Sequence, residues 1–200
     1  MNADVRHHLW SSWGLCPRHS WAHALVEIEA WGGWTFSTSI LYEDLLGRAL
    51  RSIRRYRFLP RDLGVRALSP KGACHTCDYV LAAKLEWRDH SSRIIDRVNR
   101  FERSRELLCA SRSQWQEHCC PSCGDGKGPV CRPHLLARSA SMQWTELATI
   151  LAPIHIRLGR YIDSMTWNGP KASDLERVSW IEALGWFAGW ELPMRLCGAP

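Results

Sequence analysis

CCPSCGDGKGPVCRPHLL, residues 119–136, holds two ligand-type pairs in one short span: Cys120-Pro-Ser-Cys123 and Cys131-Arg-Pro-His134. Together they read C-x2-C-x7-C-x2-H. The segment from Cys119 to Pro133 is too rich in glycine and proline to be a helix. Its glycines allow the loop between the pairs to double back, and an apolar helix resumes at Leu135. A tight knuckle feeding a helix is the arrangement of treble-clef zinc sites, and four Cys/His ligands complete the tetrahedron that zinc prefers.

The same spacing recurs at Cys16-Pro-Arg-His19 and Cys74-His-Thr-Cys77. Ligands at i and i+3 converge on one side of a first helical turn or a tight knuckle. The exposed amides of a helix N-terminus also favour thiolate over thiol. Cys16, His19, Cys74 and Cys77 are therefore expected to form a second metal site, closing a long loop over the first two helices. Nothing local enforces that pairing. A cross-pairing of Cys74/Cys77 with Cys131/His134, and of Cys16/His19 with Cys120/Cys123, stays open. Zn2+ is the expected ion, and an iron–sulfur cluster is the lesser alternative for such ligands.

Between the pairs the pattern is helical. Trp21, Ala24, Leu25, Ile28 and Trp31 recur at helical spacing after Cys16-Pro17 and stop at Gly32-Gly33. Ile40, Leu41, Leu45, Ala49, Ile53 and Tyr56 mark a second helix. Residues 60–73 read as a connector punctuated by proline and glycine. A long helical pattern from Cys74 carries Val80, Leu81, Leu85, Ile94, Ile95, Val98 and Phe101, with a break near His90.

After the knuckle, Met142, Leu147, Ile150, Leu151, Ile154, Leu158 and Tyr161 line one side of a helix that Pro153 is expected to kink. Ser173-Asp-Leu-Glu176 is a capping-box pattern opening a last helix through Val178, Ile181, Leu184 and Phe187. No useful stretch alternates with period two. The expectation is an all-α helical bundle of about five or six helices with zinc-knuckle-like insertions. It forms one domain over residues 1–200, divisible into a Cys-x-x-His helical pair (1–60) and a second module (74–200).

The composition fits this reading. Apolar residues make up 46% and charged residues 23% of the 200 positions, a globular balance. Twelve tryptophans imply extensive aromatic burial, with an exposed subset as a docking face. Nine cysteines leave at least one thiol unpaired. The opening MNADVRHHLWSSWGL lacks an apolar h-region and a small-residue cleavage site, and no apolar run is long enough to span a membrane. A cytoplasmic location is expected, where cysteine pairs point to metal or redox chemistry more than to disulfides. Cys109, Cys119 and Cys197 have no partner at ligand spacing, so a buried apolar role is expected for each.

GLCPRHSWAHAL and GPVCRPHLL, each a Cys-x-x-His opening a helix, resemble a group of bacterial helical proteins without an established activity. In that group a CPxC-type motif, a long helix and a GLCxxH motif form a module that occurs twice. ILYEDLLGRAL and SWIEALGWFAG also resemble it, so the likeness spans most of the chain. No CPxC precedes Cys16, and an additional CPSC stands at Cys120–Cys123. The resemblance implies metal binding and a helical fold, and it implies that Cys74/Cys77 pair with Cys131/His134.

Several functions compete. Two filled Cys3His sites leave no open position for zinc catalysis, and no phosphate loop, nucleophile elbow or HExxH motif is present. An enzyme is the less favoured reading. His19, His23 and Glu27 share a helix face and suggest either an open metal position or a carboxylate supporting His19; partly solvated neighbours are the simpler expectation. Glu86 and His90 repeat the i, i+4 pattern with less weight. The Cys-x-x-Cys pairs raise a thiol–disulfide role but lack a βαβ context.

The net charge is +6. Arg48, Arg51, Arg54, Arg55, Arg57, Arg61 and Arg66, with Tyr56 and Phe58 between them, raise nucleic-acid binding against a plain solvated helix face. The favoured reading is a metal-stapled interaction or scaffold module with a protein partner and no membrane association.

Overall fold

A computed structural model describes residues 3–82, 101–124, 126–137 and 144–198. Among the described residues every regular element is helical. The helices are α1 (Ala3–Ser11), α2 (Pro17–Ala30), α3 (Phe36–Tyr56), α4 (Arg61–Leu68), α5 (His75–Ala82), α6 (Glu102–Ala110), α7 (Arg112–Trp115), α8 (Arg132–Ala137), α9 (Trp144–Ser164), α10 (Asp174–Ala188) and α11 (Glu191–Cys197). The fold is all-α, with more and shorter helices than the periodicity predicts.

The centre of the bundle is α10. Every residue from Val178 to Ala188 is buried, including Glu182, which is paired with Arg157 and His118, and a helix buried on all sides belongs in the middle of a fold. It packs on α2, α3, α7, α8 and α9. Its start is fixed by the expected capping box: the Glu176 amide donates to Ser173 Oγ, and the Ser173 amide donates to the Glu176 carboxylate. At its other end Gly189 takes a φ of 82°, a left-handed conformation that glycine adopts without strain.

Tryptophan fills most of the space around this axis. Trp13, Trp21, Trp115, Trp144, Trp180, Trp186 and Trp190 are buried, whereas Trp31, Trp34 and Trp167 are exposed. Trp115 stacks on Trp190 with centroids 5.8 Å apart. The Trp21 and Trp115 indoles donate to the carbonyls of Gly189 and Leu108, each at 2.9 Å, which offsets the cost of burying the N–H.

The long amphipathic helices α3 and α9 lie against each other and against α10. The stripes hold in their main part: Leu41, Leu45, Ala49 and Ile53 from α3, and Leu147, Leu151, Ile154 and Leu158 from α9, are buried, whereas Ile40 is exposed. Helix α9 runs through Pro153, which sits on the exposed side. There the carbonyl deprived of its N–H partner can face water.

Three expectations need correction. Residues 60–73 are not merely a connector, because α4 lies within them. Gly64, read as punctuation, is there because a Cβ would overlap the Trp144 ring. The long pattern from Cys74 is helical as α5; residues 83–100, which include Leu85, Ile94, Ile95 and Val98, lie outside the described residues, as does Met142. Phe101 does not continue that helix. It has a φ of 40° and precedes α6. Helices α1 and α11, which no periodic stripe announces, close the two ends, α1 burying Leu9 and α11 burying Pro193.

Candidate metal centres

Three of the four ligand pairs sit at one structural position. Cys16 is the N-cap of α2 with Pro17 at N1, and its carbonyl accepts from the Ser20 amide at 2.9 Å. Cys74 and Cys131 stand likewise before α5 and α8, accepting from the amides of Asp78 and Leu135. In each, the second ligand lies three residues on, in the first turn. N-cap and N3 side chains face each other, the geometry that capping boxes use, so Cys-x-x-His and Cys-x-x-Cys converge without further support.

The fourth pair is a turn. The Cys123 amide donates to the Cys120 carbonyl at 2.9 Å, and the Ser122 amide donates to Cys120 Sγ at 3.4 Å. The chain then doubles back. The Gly128 amide donates to the Cys119 carbonyl at 2.9 Å, and a Cβ at Gly128 would overlap the His118 carbonyl. Glycine is required there by close backbone approach.

Two four-residue clusters result: Cys16, His19, Cys74 and Cys77, and Cys120, Cys123, Cys131 and His134, with all ligand atoms in each group within 4.8 Å of one another. In the first, His19 Nδ1 is 3.4 Å from Cys16 Sγ, 3.6 Å from Cys74 Sγ and 3.3 Å from Cys77 Sγ. In the second, His134 Nδ1 is 3.6 Å from Cys120 Sγ, 3.4 Å from Cys123 Sγ and 3.2 Å from Cys131 Sγ. Either cluster could hold a metal ion. The cross-pairing implied by the resemblance, Cys74/Cys77 with Cys131/His134, is not the one the chain makes.

The two clusters differ in setting. Cys120 and Cys131 are fully buried beneath α10 and α11, whereas Cys16, His19 and Cys77 are only partly covered. The Cys123 thiol is held at about 5, first because Cys131 donates a hydrogen bond to it and further by the Trp190 amide, although burial opposes this. The Cys131 thiol is correspondingly pushed up. At Cys74 burial works to raise the value, but hydrogen bonds from the Cys16 and Cys77 amides and from His19 outweigh it and hold the thiol at about 6. Cys77 is pushed up to about 11 by burial and by its Cys16 neighbour.

The remaining chemistry-bearing residues divide. His23 Nδ1 lies 3.0 Å from Thr38 Oγ1, and burial lowers its pKa. Glu27 is buried and accepts from the amides of Ser37 at 2.6 Å and Thr38 at 2.9 Å. It caps α3 and supports neither His19 nor an open metal position. Glu29 does the same for α6, accepting from the Ser104 amide at 2.8 Å and from Ser104 Oγ at 2.7 Å. Periodicity assigns these two carboxylates no such role, because their targets are remote in sequence. Glu86 and His90 lie outside the described residues.

Of the three cysteines without a ligand partner, only Cys119 keeps the expected role, buried and pushed up to about 12 by that burial. Cys109 and Cys197 form a disulfide joining α6 to α11. They stand 88 positions apart, so spacing carries no sign of it. Arg132, between Cys131 and His134, turns inward: it donates to the Leu68 carbonyl at 2.9 Å and lies against Trp13.

The arrangement defines a helical protein with two Cys3His clusters. No known protein family, curated protein or solved structure matches the chain. None of its helices, among the described residues, is long and apolar enough to cross a membrane.

Proposed function

We propose that both clusters bind Zn2+ and that the metal holds the fold, making the chain a zinc-stapled interaction or scaffold module. The spacing of the ligand atoms carries this reading. Zinc at about 2.3 Å from sulfur and about 2.1 Å from nitrogen requires tetrahedral edges of about 3.8 Å between sulfurs and about 3.6 Å from sulfur to nitrogen. The sulfur–sulfur distances are 3.9 Å for Cys16–Cys77 and 3.6 Å for Cys123–Cys131, beside sulfur–nitrogen distances of 3.2–3.6 Å.

Four protein ligands fill each tetrahedron, which suits a structural rather than a catalytic ion. Three thiolates and a neutral imidazole leave the zinc-bound cluster with a net charge near minus one, which the amides around each N-cap help to accommodate. Exposed Trp31, Trp34 and Phe36 at the α2–α3 turn supply an aromatic surface for a protein partner.

Elemental analysis of the purified chain tests the assignment, with about two zinc ions per chain expected. Metal-free protein carrying a titratable disulfide within a cluster would overturn it in favour of thiol–disulfide chemistry. Stoichiometric iron with visible absorption would overturn it in favour of an iron–sulfur centre.

A further inference from the structure

The arginine run of residues 48–66 does not form one surface. Arg48, Arg51 and Arg55, spaced i, i+3 and i+7, share one face of α3 and line a cleft of about 630 Å³ whose other walls come from α1 and from Lys71 after α4. Arg54 and Arg57 line a different depression, on the α9 side with Trp144. The two depressions have no lining residue in common.

Cations converge in the first cleft. Arg48, Arg51, Arg55 and Lys71 line it, beside the His7 ring, and no carboxylate does. Asp44, the carboxylate that acts on Arg48, is already engaged by Trp10 Nε1 at 2.5 Å and by Arg6 at 3.9 Å. Arg51, Arg55 and Lys71 have no ion-pair partner among the described residues. Arg48 Nη1 is buried without a hydrogen-bond partner.

Arg48 is held in place by aromatic rings, its guanidinium 4.8 Å from the Trp10 centroid and 5.5 Å from that of Trp13. Arg6 also lies over Trp10, at 5.0 Å. The rings serve to orient guanidinium groups, so recognition falls on charge rather than on stacking of a base. The walls are tied together, because the Lys71 amide donates to the Ser11 carbonyl at 2.8 Å. A concave site with one donor fixed by its walls and further like charges around it is a ligand site in want of an anion.

We infer that this cleft binds a small condensed phosphate, two or three linked phosphoryl groups, free or carried on a nucleoside. Three arginines and a lysine match the several negative charges of such a chain. The volume also admits a nucleoside-sized group, and a single phosphate would leave most of the donors unused. A nucleic-acid backbone needs an extended basic groove, whereas this cleft is compact and Arg54 and Arg57 line another depression. The site stands on these residues alone and does not depend on what either cysteine cluster binds.

Calorimetric titration of the full chain with inorganic tripolyphosphate at low salt is the test. One ligand per chain is expected, with affinity falling about tenfold for Arg51→Ala and for Arg55→Ala. Both residues are exposed, so the fold, checked by circular dichroism, should persist. Compared at about 0.15 M salt, where charges outside the site are largely screened, Arg54→Ala and Arg57→Ala should lower affinity by less than about twofold.

A nucleoside triphosphate binding more tightly than tripolyphosphate would identify the carried form, and equal binding the free form. No saturable binding at low salt would overturn the proposal. So would an equal loss in the Arg54 and Arg57 variants, or stoichiometry that scales with the length of a competing oligonucleotide.

Discussion

The two clusters are built from the same ligand set, and they differ in what closes them. In the knuckle cluster Cys120 and His134 are 14 residues apart; in the other, Cys16 and Cys77 are 61 apart. Loop-closure entropy alone makes the longer closure costlier by about 1.3 kcal/mol. The knuckle cluster is also the more buried, set under α10 and α11 with two ligands wholly out of water. The Cys16 cluster is only partly covered, and it joins the start of α2 to the start of α5. One cluster is part of the core, and the other is a clasp on its outside.

If that distinction holds, the largest effect belongs to the knuckle. Cys131→Ala removes a ligand that is completely buried and leaves two thiols and an imidazole without their ion in the core. Structural zinc contributes on the order of 10 kcal/mol in small domains, comparable to the whole stability of an ordinary fold. Loss of cooperative thermal unfolding by circular dichroism is expected. Cys119→Ala is the control: equally buried and next to a ligand, yet outside the cluster, it should cost only about 1 kcal/mol. A well-folded Cys131→Ala protein would remove the knuckle from the core.

Breaking the clasp should do less. Cys77→Ala opens the long closure, whose entropic worth is about 4 kcal/mol, while leaving α3, α9 and α10 packed. Amide exchange is the informative measurement. Protection should fall in α1 and α5, which touch through His8 and His75, and persist in α9 and α10. Exchange rising throughout the chain would erase the difference between clasp and core.

How much of this was legible in the sequence depended on distance along the chain. The ligand pairs show because Cys-x-x-His at an N-cap is a local geometry, and α10 shows because its capping box stands before the stripe Val178, Ile181, Leu184 and Phe187. Helix α4 did not show, because Pro60 and Gly64 read as loop residues until Trp144 supplies the reason for Gly64. The basic run was visible, but its cleft is completed by His7 and Trp10 of α1, far away in the chain. The choice between knuckle and cross-paired ligands was equally remote, since each pair is compatible with any other until the helices pack.

The Cys109–Cys197 disulfide belongs to the core side of the comparison. It ties α6 to α11, and the same corner is held by Arg112 Nη1 donating to the Cys197 carbonyl at 2.5 Å. The residue before α11 is Trp190, whose amide supports the Cys123 thiolate. Reduction, or Cys109→Ser with Cys197→Ser, should therefore lower stability by about 2–4 kcal/mol in denaturant melts. Metal content should stay unchanged, because neither cysteine is a cluster member. Loss of one metal equivalent on reduction would mean that the disulfide and the knuckle are a single unit.

The smallest effect concerns how the clasp is attached to the bundle. Helix α2 carries His19 in its first turn and the buried carboxylate of Glu27 near its end. Glu27 receives the first amides of α3 and the Thr38 hydroxyl, the latter at 2.7 Å. A carboxylate at a helix N-terminus gains from both the hydrogen bonds and the dipole. Glu27→Gln keeps the size and one acceptor but loses the charge, so a cost of about 1 kcal/mol in a chemical melt is expected, with the full metal content retained. Depletion of metal at the Cys16 cluster would instead show that Glu27 acts through His19, and α2 would then transmit the state of the clasp to the start of α3.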